Sequence, residues 1–264
     1  MDVQASTGRV RTRARRQPTK LWRVPVLRVN RLTPRMARVT VGGEQLADFA
    51  STGTDQHVML YFYPPDVRLP EPLTLETARQ QMSSIRPIMR SYTVRRHDPV
   101  SHEIDIDFVL HSHRGPAADW AARAKPGDEL IFVGPSPAYQ PEPAADWQLL
   151  IGDESALPAI GAILEELPAG ARARAYVEIE DAGERQVLAS QADTEITWVR
   201  RDRGESLERV VRADGLPTGS VHAWVAGERQ AVRALRGYLL TECGLDRHRV
   251  RPTTYWKDGT SHAG

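Results

Sequence analysis

The sequence predicts an all-β barrel followed by an α/β domain, and three observations lead to this prediction. The chain has 264 residues, of which 41% are hydrophobic, so it is long enough to bury two cores of ordinary size. In the stretch "EIDIDFVL", Ile104, Ile106 and Phe108 alternate with acidic residues, which is the period-two pattern of a half-buried strand. After about residue 146, strands alternate with helices instead, as they do around a parallel sheet.

The first half of the chain reads as short strands separated by turns, with little helix. This pattern is typical of a closed antiparallel barrel of six strands. Segment 64–87 between two of these strands is long for a loop, and such segments are often functional or disordered. We expect the strands at 22–29, 36–41, 57–63, 90–94, 104–110 and 129–133.

The second half predicts a Rossmann-like parallel sheet, which follows a Pro- and Ala-rich linker at 134–146. Ligands of such sheets bind at the carboxyl ends of the strands. We expect strands at 147–152, 174–179, 195–200, 220–228 and 249–256, and helices at 157–167, 206–213 and 228–243. The predicted organisation is a disordered basic tail at 1–19, the barrel domain at 20–140 and the α/β domain at 146–264.

Composition and charge exclude several classes of protein. No run of eighteen apolar residues is present, which argues against membrane insertion. The basic tail at 1–19 lacks the apolar region of a secretory signal, and the net charge of +1 without an aromatic-rich basic face argues against a nucleic-acid partner. Cys243 is the only cysteine, which excludes intrachain disulfides and cysteine-based metal centres. We therefore expect a cytoplasmic monomer without a bound metal.

The stretch "RSYT", Arg90 to Thr93, could hold a flat ring and a phosphate. Arg90 offers a planar fork of donors suited to phosphate. Tyr92 lies two residues further on, so it shares a strand face with Arg90 and its ring could lie against a heteroaromatic system. Thr93 and the backbone beside it could donate hydrogen bonds to a ring nitrogen. The alternative is an ordinary strand with an exposed arginine and a packed tyrosine.

The stretch "HSHRGPAADW" leaves a strand and begins a helix at Gly115 and Pro116, which predicts an anion site. Glycine permits close backbone approach, proline suits the first helical turn, and the free N–H groups at a helix start attract anions. His111 and Arg114 would add donors beside it, followed by Ala117 in the first turn. The pair His111 and His113 is also compatible with a metal site, although the motif contains no carboxylate partner.

The stretch "IGDESALPAI" lies where the first strand of the α/β domain meets its first helix. A G-x-G-x-x-G fingerprint is absent, and one glycine followed by polar residues stands in its place. This arrangement suits a diphosphate or nicotinamide approached by backbone N–H groups, with Ser155 as an additional donor. The alternative is that Asp153 and Glu154 are only acids at a helix start. The candidate residues are Gly152, Asp153, Glu154, Ser155 and Ala156.

Five blocks together carry a resemblance to a known family: "RSYTVRR", "DFVLHSHRGPAADWA", "LLIGDESALPAIGAILEELP", "VHAWVAGE" and "TYWKDG". In this order, over about 21–259, the sequence resembles the siderophore-interacting proteins. These are flavin-dependent ferric-siderophore reductases built like ferredoxin–NADP reductases. The resemblance implies that the barrel binds FAD and that the parallel-sheet domain binds NAD(P)H.

The same resemblance assigns roles to the candidate residues. It implies that Tyr92 and Thr93 lie at the reacting flavin ring as the catalytic candidates, and that Trp256 and Lys257 lie near the mouth of the site. The family's lysines around the substrate are few here, so arginines such as Arg251 would take part of that role. Implied to hold FAD are Arg90, Ser91, Tyr92, Thr93, Asp107, His111, Arg114, Gly115, Pro116 and Ala117, with Gly152–Ala156 lining the nicotinamide entry.

The implied reaction passes hydride from NAD(P)H to N5 of FAD and then single electrons to the Fe(III) of a ferric siderophore, which releases Fe(II). A cationic mouth with Lys257 would attract an anionic chelate. Two alternatives share part of this evidence: a related flavoenzyme with a protein acceptor, and a siderophore-binding accessory protein without turnover.

The nicotinamide preference stays open between two sets of residues. Arg200, Arg201 and Arg203 follow one strand of the second domain and could bind the 2′-phosphate of NADPH. Glu178 and Glu180 end the preceding strand and could hold the ribose diol of NADH instead.

Overall fold

The computed structural model describes residues 19–51, 53–110, 115–136 and 139–258. Two β-sheets organise these residues, a curled antiparallel sheet of seven strands and a parallel sheet of five. The first sheet contains β1 (Lys20–Thr33), β2 (Met36–Gly42), β3 (His57–Phe62), β4 (Ile88–Thr93), β5 (Arg96–Asp98), β6 (Glu103–Val109) and β7 (Glu129–Gly134). The second contains β8 (Trp147–Asp153), β9 (Arg172–Ile179), β10 (Asp193–Arg200), β11 (Val221–Glu228) and β12 (Val250–Trp256).

The antiparallel sheet forms because apolar residues alternate along its strands and meet inside the curl. Ile104, Ile106 and Phe108 of β6 are fully buried, as the period-two pattern predicts. The strand order β4-β3-β7-β1-β2-β6-β5 leaves β4 and β5 as the two edges, so the sheet is a half-barrel. All six predicted strands are confirmed. The seventh, β5, is three polar residues long and lacks the apolar pattern by which the others are recognised.

Two short helices accompany the antiparallel sheet. The first, α1 (Leu75–Gln81), lies inside the segment that the sequence presents as a long loop. Its start is capped by Thr74, whose side chain accepts a hydrogen bond from the backbone N–H of Thr77. The second, α2 (Pro116–Arg123), follows Gly115 and packs Ala117 and Ala121 against the core of the half-barrel.

The parallel sheet has the strand order β10-β9-β8-β11-β12, and all five predicted strands are present. The order reverses between β8 and β11, the position at which doubly wound sheets open a crevice for ligands. Helix α3 packs on one face with Leu150, and helices α4 and α5 pack on the other face with Leu149 and Ile151. These helices are α3 (Leu157–Glu166), α4 (Leu207–Asp214) and α5 (Arg229–Gly237), and a π-helical turn, Tyr238–Glu242, continues α5.

Several contacts join the two sheets. Glu184, which is 2% exposed, accepts hydrogen bonds from the Thr33 hydroxyl at 2.5 Å and from the Arg35 backbone N–H at 3.0 Å. Met36 of β2 packs within the apolar cluster around α3. These buried polar and apolar contacts therefore hold the turn between β1 and β2 against the half of the molecule that contains the parallel sheet. The division into domains at 20–140 and 146–264 stays a prediction.

The stretch predicted as a linker also takes part in this packing. Tyr139 is buried, and its hydroxyl lies 2.8 Å from Nδ1 of His222 on β11. Its backbone N–H donates to the carbonyl of Thr54 at 2.7 Å. Burial lowers the pKa of His222, which favours a neutral ring beside this phenol. The connection between the sheets is therefore fixed at Tyr139.

In the described part of the chain, none of the helices is long and apolar enough to cross a membrane. Within the same ranges, no group of three or more His, Cys, Asp or Glu side chains is placed to hold a metal ion.

Candidate functional site

Strand β4 presents Arg90 and Tyr92 on the same face. Arg90 pairs with Leu60 and Tyr92 with Val58, and both of these β3 residues are buried in the half-barrel core. The Tyr92 ring packs against Phe108 with ring centroids 4.4 Å apart, and burial raises the pKa of Tyr92 to about 12. Arg90 donates to the carbonyl of Met89 and forms no ion pair with any described carboxylate. Its guanidinium is thus available for an anionic ligand.

The start of α2 fits a close approach by a ligand. Gly115 is the N-cap residue and its backbone is extended. It has no side chain that could accept a hydrogen bond from the N–H groups of the first turn. A Cβ built on Gly115 would meet no described atom within 4 Å, so the space outside the helix start is open. The first N–H groups of a helix have no partner within the helix and suit the oxygens of a phosphate. Pro116 occupies the first position and Ala117 is buried beneath it.

One aromatic side chain links the strand to the helix. Phe108 contacts Tyr92 on one side and Trp120 of α2 on the other, with centroids 5.6 Å apart in the second pair. The RSYT strand and helix α2 therefore pack against the same side chain of the half-barrel core. The predicted residues His111 and Arg114 lie outside the described residues. The described residues fit FAD in kind, because they include an aromatic ring, a guanidinium without an ion pair to a described carboxylate, and a helix start without a side-chain cap.

Asp107 forms an ion pair within the sheet. Its carboxylate accepts from Arg38 at 2.7 Å and 2.8 Å, and the two residues face each other across β2 and β6. Asp107 is 4% exposed. A bidentate pair of this kind occupies both oxygens, so a role for Asp107 in cofactor binding stays a prediction with no supporting contact.

At the carboxyl end of β8, Gly152 is required by close packing. A Cβ at this position would lie 2.5 Å from the Ala156 Cβ and 2.9 Å from the Ala226 carbonyl oxygen. These distances leave no room for a methyl group, so glycine lets α3 and β11 approach β8. Ala156 itself is fully buried as the N-cap residue of α3.

Asp153 organises this edge of the sheet. One carboxylate oxygen accepts from the Ser155 backbone at 2.9 Å and from its hydroxyl at 2.5 Å. The other accepts from the Glu228 backbone at 2.9 Å and from Trp256 Nε1 at 2.8 Å. A Cβ on Gly227 would lie 2.5 Å from this second oxygen. Asp153 thus ties β8, β11 and β12 together, and the Ser155 hydroxyl proton is directed to Asp153.

Next to Asp153, Glu154 lies in a cluster of charges around Arg201. All three guanidinium nitrogens of Arg201 contact carboxylates: Nη1 lies 3.1 Å from Glu178, Nε lies 3.2 Å from Glu180, and Nη2 bonds to Glu154. The other oxygen of Glu154 accepts from the Glu180 backbone at 2.5 Å. The arginine and the two glutamates predicted as rival nucleotide ligands are therefore paired with one another.

A group that the sequence analysis missed joins the two halves of the site. Asp55 accepts hydrogen bonds from the Tyr255 hydroxyl and from Trp224 Nε1, the latter at 3.1 Å. Asp55 lies two residues before His57 of β3, and His57 pairs with Thr93 of β4. The segment that leads to the RSYT strand is thus bonded to the carboxyl edge of the parallel sheet at Tyr255, beside Trp256. The available signal was an acidic residue in a Gly-Thr-Asp turn, which is too common to stand out.

The two basic residues predicted at the substrate lie far apart. Arg251 pairs with Trp224 near the start of β12, whereas Lys257 follows the end of that strand. Six residues of extended strand separate them by about 20 Å. Lys257 lines a cavity of about 640 Å³ together with Arg229 and Arg233 of α5. Lys257 and Arg251 therefore do not form one patch.

Models of known protein families match both parts of the chain. Residues 25–139 match the siderophore-interacting FAD-binding domain and residues 145–259 match the siderophore-interacting protein model. A ferric vibriobactin reductase of Vibrio cholerae is 32% identical, with 85% of this chain and 84% of the relative covered. An NADPH-dependent ferric-chelate reductase of Escherichia coli is also 32% identical, with coverage of 91% and 94%.

Solved structures of other proteins are also similar to this chain in fold. The crystal structure of a siderophore utilization protein from T. fusca has a TM-score of 0.80 and 38% identity, with 94% of this chain and 97% of that chain covered. A ferredoxin–NADP⁺ reductase from Neisseria gonorrhoeae shares the fold, with a TM-score of 0.64 at 13% identity and coverage of 89% and 99%.

The FAD-binding match and the ferric reductases among the relatives define the class of the chain, an FAD-dependent oxidoreductase. Within that class, the chain belongs to the siderophore-interacting protein family, as its identity to full-length relatives shows.

Proposed function

We propose that this protein is an FAD-containing reductase of ferric siderophores that takes its electrons from a reduced nicotinamide nucleotide. The observation that carries the proposal is the pair of hydrogen bonds that Asp55 accepts from Tyr255 and from Trp224. Asp55 leads into β3, which pairs with the proposed flavin strand β4. These bonds hold that part of the half-barrel against the carboxyl edge at which a nucleotide would bind, so both ligands would share one cleft.

On the flavin side, we assign a role to each described residue. Tyr92 would support the ring, Thr93 and Ser91 would offer hydrogen bonds at its edge, and Arg90 would pair with a phosphate. The first turn of α2, with Gly115, Pro116 and Ala117, would bind the diphosphate through backbone N–H groups. His111 and Arg114 would add donors there.

On the nucleotide side, the turn at Gly152–Ala156 would line the entry of the nicotinamide. Asp153 would act indirectly, because its four hydrogen bonds hold Ser155, the Glu228 backbone and Trp256 in place. Bound FAD would supply the redox chemistry by taking hydride from the nucleotide and passing single electrons to chelated Fe(III). For such a transfer the protein's contribution is mainly position and the exclusion of water.

The substrate would approach from the side of Lys257. Lys257, Arg229 and Arg233 line a cavity that also contains Glu208 and Glu242, both paired with Arg212, so its lining keeps a net positive charge that would attract an anionic chelate. Arg251 would contact only a chelate that extends to the other end of β12. Reduction lowers the charge of the iron, and hard oxygen ligands hold Fe(II) less tightly than Fe(III), so the metal can leave. We place this reaction in the cytoplasm, where reduced nicotinamide nucleotides are available.

Anaerobic turnover tests the proposal. FAD-loaded protein is mixed with reduced nucleotide and a panel of ferric catecholate and hydroxamate chelates, and Fe(II) is trapped with a ferrous indicator. We expect formation of the ferrous complex to depend on the protein, the flavin and the nucleotide together. Rapid reduction of a flavodoxin or ferredoxin with no reduction of any chelate would favour a protein acceptor instead. Protein that cannot be loaded with FAD would overturn both.

A further inference from the structure

We propose that the nucleotide site selects NADH over NADPH, because the carboxylates of Glu154, Glu178 and Glu180 engage Arg201 and leave this edge of the sheet anionic. The inference rests on the proposed use of a nicotinamide nucleotide as electron donor and names which of the two it is. It also separates this chain from the Escherichia coli relative, whose name specifies NADPH.

The cluster lies where the adenosine ribose of a dinucleotide would bind. Glu154 directly follows β8, Glu178 and Glu180 lie at the end of β9, and Arg201 directly follows β10. These are carboxyl ends of neighbouring parallel strands, on one side of the point where the strand order reverses. In doubly wound sheets an acid at this edge binds the ribose 2′-hydroxyl of NAD, and an arginine there accommodates the 2′-phosphate of NADP.

Of the three arginines at the end of β10, only Arg201 lies within the cluster, and each of its three guanidinium nitrogens already contacts a carboxylate. Nη1 and Nε lie 3.1 Å and 3.2 Å from carboxylate oxygens of Glu178 and Glu180, and Nη2 bonds to Glu154. Glu154 has a side chain only 7% exposed, so its bond to Arg201 is shielded from solvent. A phosphate on Arg201 would compete with these carboxylates, and loss of the bond to Glu154 would leave a buried carboxylate without its ion pair.

The charges around the cluster favour the same conclusion. Arg35 lies 3.6 Å from Glu180, yet the three carboxylates still outnumber the two guanidinium groups. Arg200 pairs with Asp202 at 2.6 Å, and Arg203 is exposed in the turn after β10, so neither forms an ion pair with the three carboxylates. A 2′-phosphate would bring about two further negative charges to carboxylates that are already in excess.

The same geometry suits a ribose diol. The Glu180 side chain is 36% exposed, so its carboxylate can accept hydrogen bonds from a ligand while it remains beside Arg201. The two ribose hydroxyls are neutral donors, and a carboxylate at the end of the second strand of such a sheet is a suitable acceptor for them. Arg201 then has a positioning role, because it holds the acidic side chains against the sheet.

Direct binding to the FAD-loaded protein tests this inference without turnover. Calorimetric titration with NAD⁺ and NADP⁺, and with the fragments 5′-AMP and 2′,5′-ADP, separates recognition of the 2′-position from the rest of the nucleotide. We expect the ligands without the 2′-phosphate to bind at least about tenfold more tightly, since like charges would oppose the others. For Glu180→Gln, which removes one charge and keeps the shape, we expect this preference to fall severalfold.

Glu195→Gln is the matched control. Glu195 pairs with Arg174 on the same sheet, but it lies within β10 rather than at the carboxyl edge, and its side chain is 54% exposed. It changes the net charge equally and should leave the preference unaltered. Tighter binding of NADP⁺ and 2′,5′-ADP by the wild-type protein would overturn the inference, as would an absence of binding by either nucleotide.

The outcomes also separate this inference from the proposed function. A protein that binds NADP⁺ more tightly and still reduces ferric chelates keeps the proposed function and loses the inference. A protein that prefers NAD⁺ but reduces no chelate supports the inference and loses the proposed acceptor.

Discussion

Asp55 of the antiparallel half accepts a hydrogen bond from Tyr255, which lies 200 residues later in the chain. Its second oxygen accepts from Trp224 Nε1 at 3.1 Å. Asp55 has a φ of 52°, in the left-handed region, so the backbone turn aims the carboxylate at the parallel sheet. One carboxylate therefore holds two aromatic side chains of the other half beside the proposed flavin strand.

The pH dependence of the free energy of unfolding should report the ionisation of the Asp55 carboxyl group. Burial raises the pKa of this carboxyl above its ordinary value of 3.8. A carboxyl with a raised pKa in the folded state favours folding below its unfolded pKa, and this contribution is lost as pH rises through the folded pKa. We expect the stability of wild type relative to Asp55→Asn to fall as pH rises above about 3.8. Urea unfolding of both proteins between pH 4 and 7 measures it, and a constant difference would contradict it.

Gly115→Ala tests the proposed diphosphate site. No described atom lies within 4 Å of the added methyl group, so the apoprotein should lose less than about 1 kcal/mol of unfolding free energy. The methyl would occupy the space proposed for a phosphate, and we expect the affinity for FAD to fall about tenfold or more. Quenching of flavin fluorescence on binding measures it. Unchanged FAD affinity would place the diphosphate elsewhere.

Gly152→Ala is expected to behave in the opposite way. The added methyl would collide with Ala156 and with the backbone of Ala226. The apoprotein should lose about 1–3 kcal/mol, because helix and strand must move apart. Thermal unfolding without ligand measures this loss. A variant as stable as wild type would show that the packing around β8 can relax.

Glu184→Gln should weaken the contact between the two sheets. The buried carboxylate accepts from Thr33 and from the Arg35 backbone, and a neutral amide would replace these charge-assisted hydrogen bonds by weaker ones, with the Thr33 hydroxyl turned from donor to acceptor. We expect a loss of about 1–3 kcal/mol in urea unfolding. The exposed Glu195→Gln serves again as control, with a change within about 1 kcal/mol.

Lys257→Gln should raise the KM for anionic ferric chelates severalfold and leave the KM for neutral chelates unchanged. The reason is the loss of attraction at the cationic cavity, and added salt should reduce the difference between the two proteins. Steady-state kinetics at two ionic strengths measures it. Lys125→Gln is the matched control, because Lys125 is exposed after α2. Equal effects of the two substitutions would remove Lys257 from the substrate site.

The strands could be predicted from the sequence because their signals are local. Residues such as Ile104 and Ile106 show their burial through spacing alone. The short strand β5 and helix α1 were not predicted, because neither has an apolar pattern of this kind. β5 consists of three polar residues, and the start of α1 is marked only by a capping bond between Thr74 and Thr77.

The site could be predicted only in part, because its arrangement depends on contacts between distant segments. The motifs around Arg90, Gly115 and Gly152 each appear within ten residues of sequence. The pairing of Arg201 with three carboxylates, and of Asp55 with Tyr255, follows from tertiary packing. An isolated arginine and an isolated aspartate in a sequence give no sign of their partners.

The bonds from Glu184 to the β1–β2 turn have a consequence for the construction of chimaeras. If the second half were exchanged for that of a relative, Thr33 and Arg35 would face whatever residue replaces Glu184, and a buried donor would lose its acceptor wherever that residue is apolar. Recombination should therefore transplant this turn together with the foreign half, even though the turn is more than a hundred residues away from the natural crossover near residue 140.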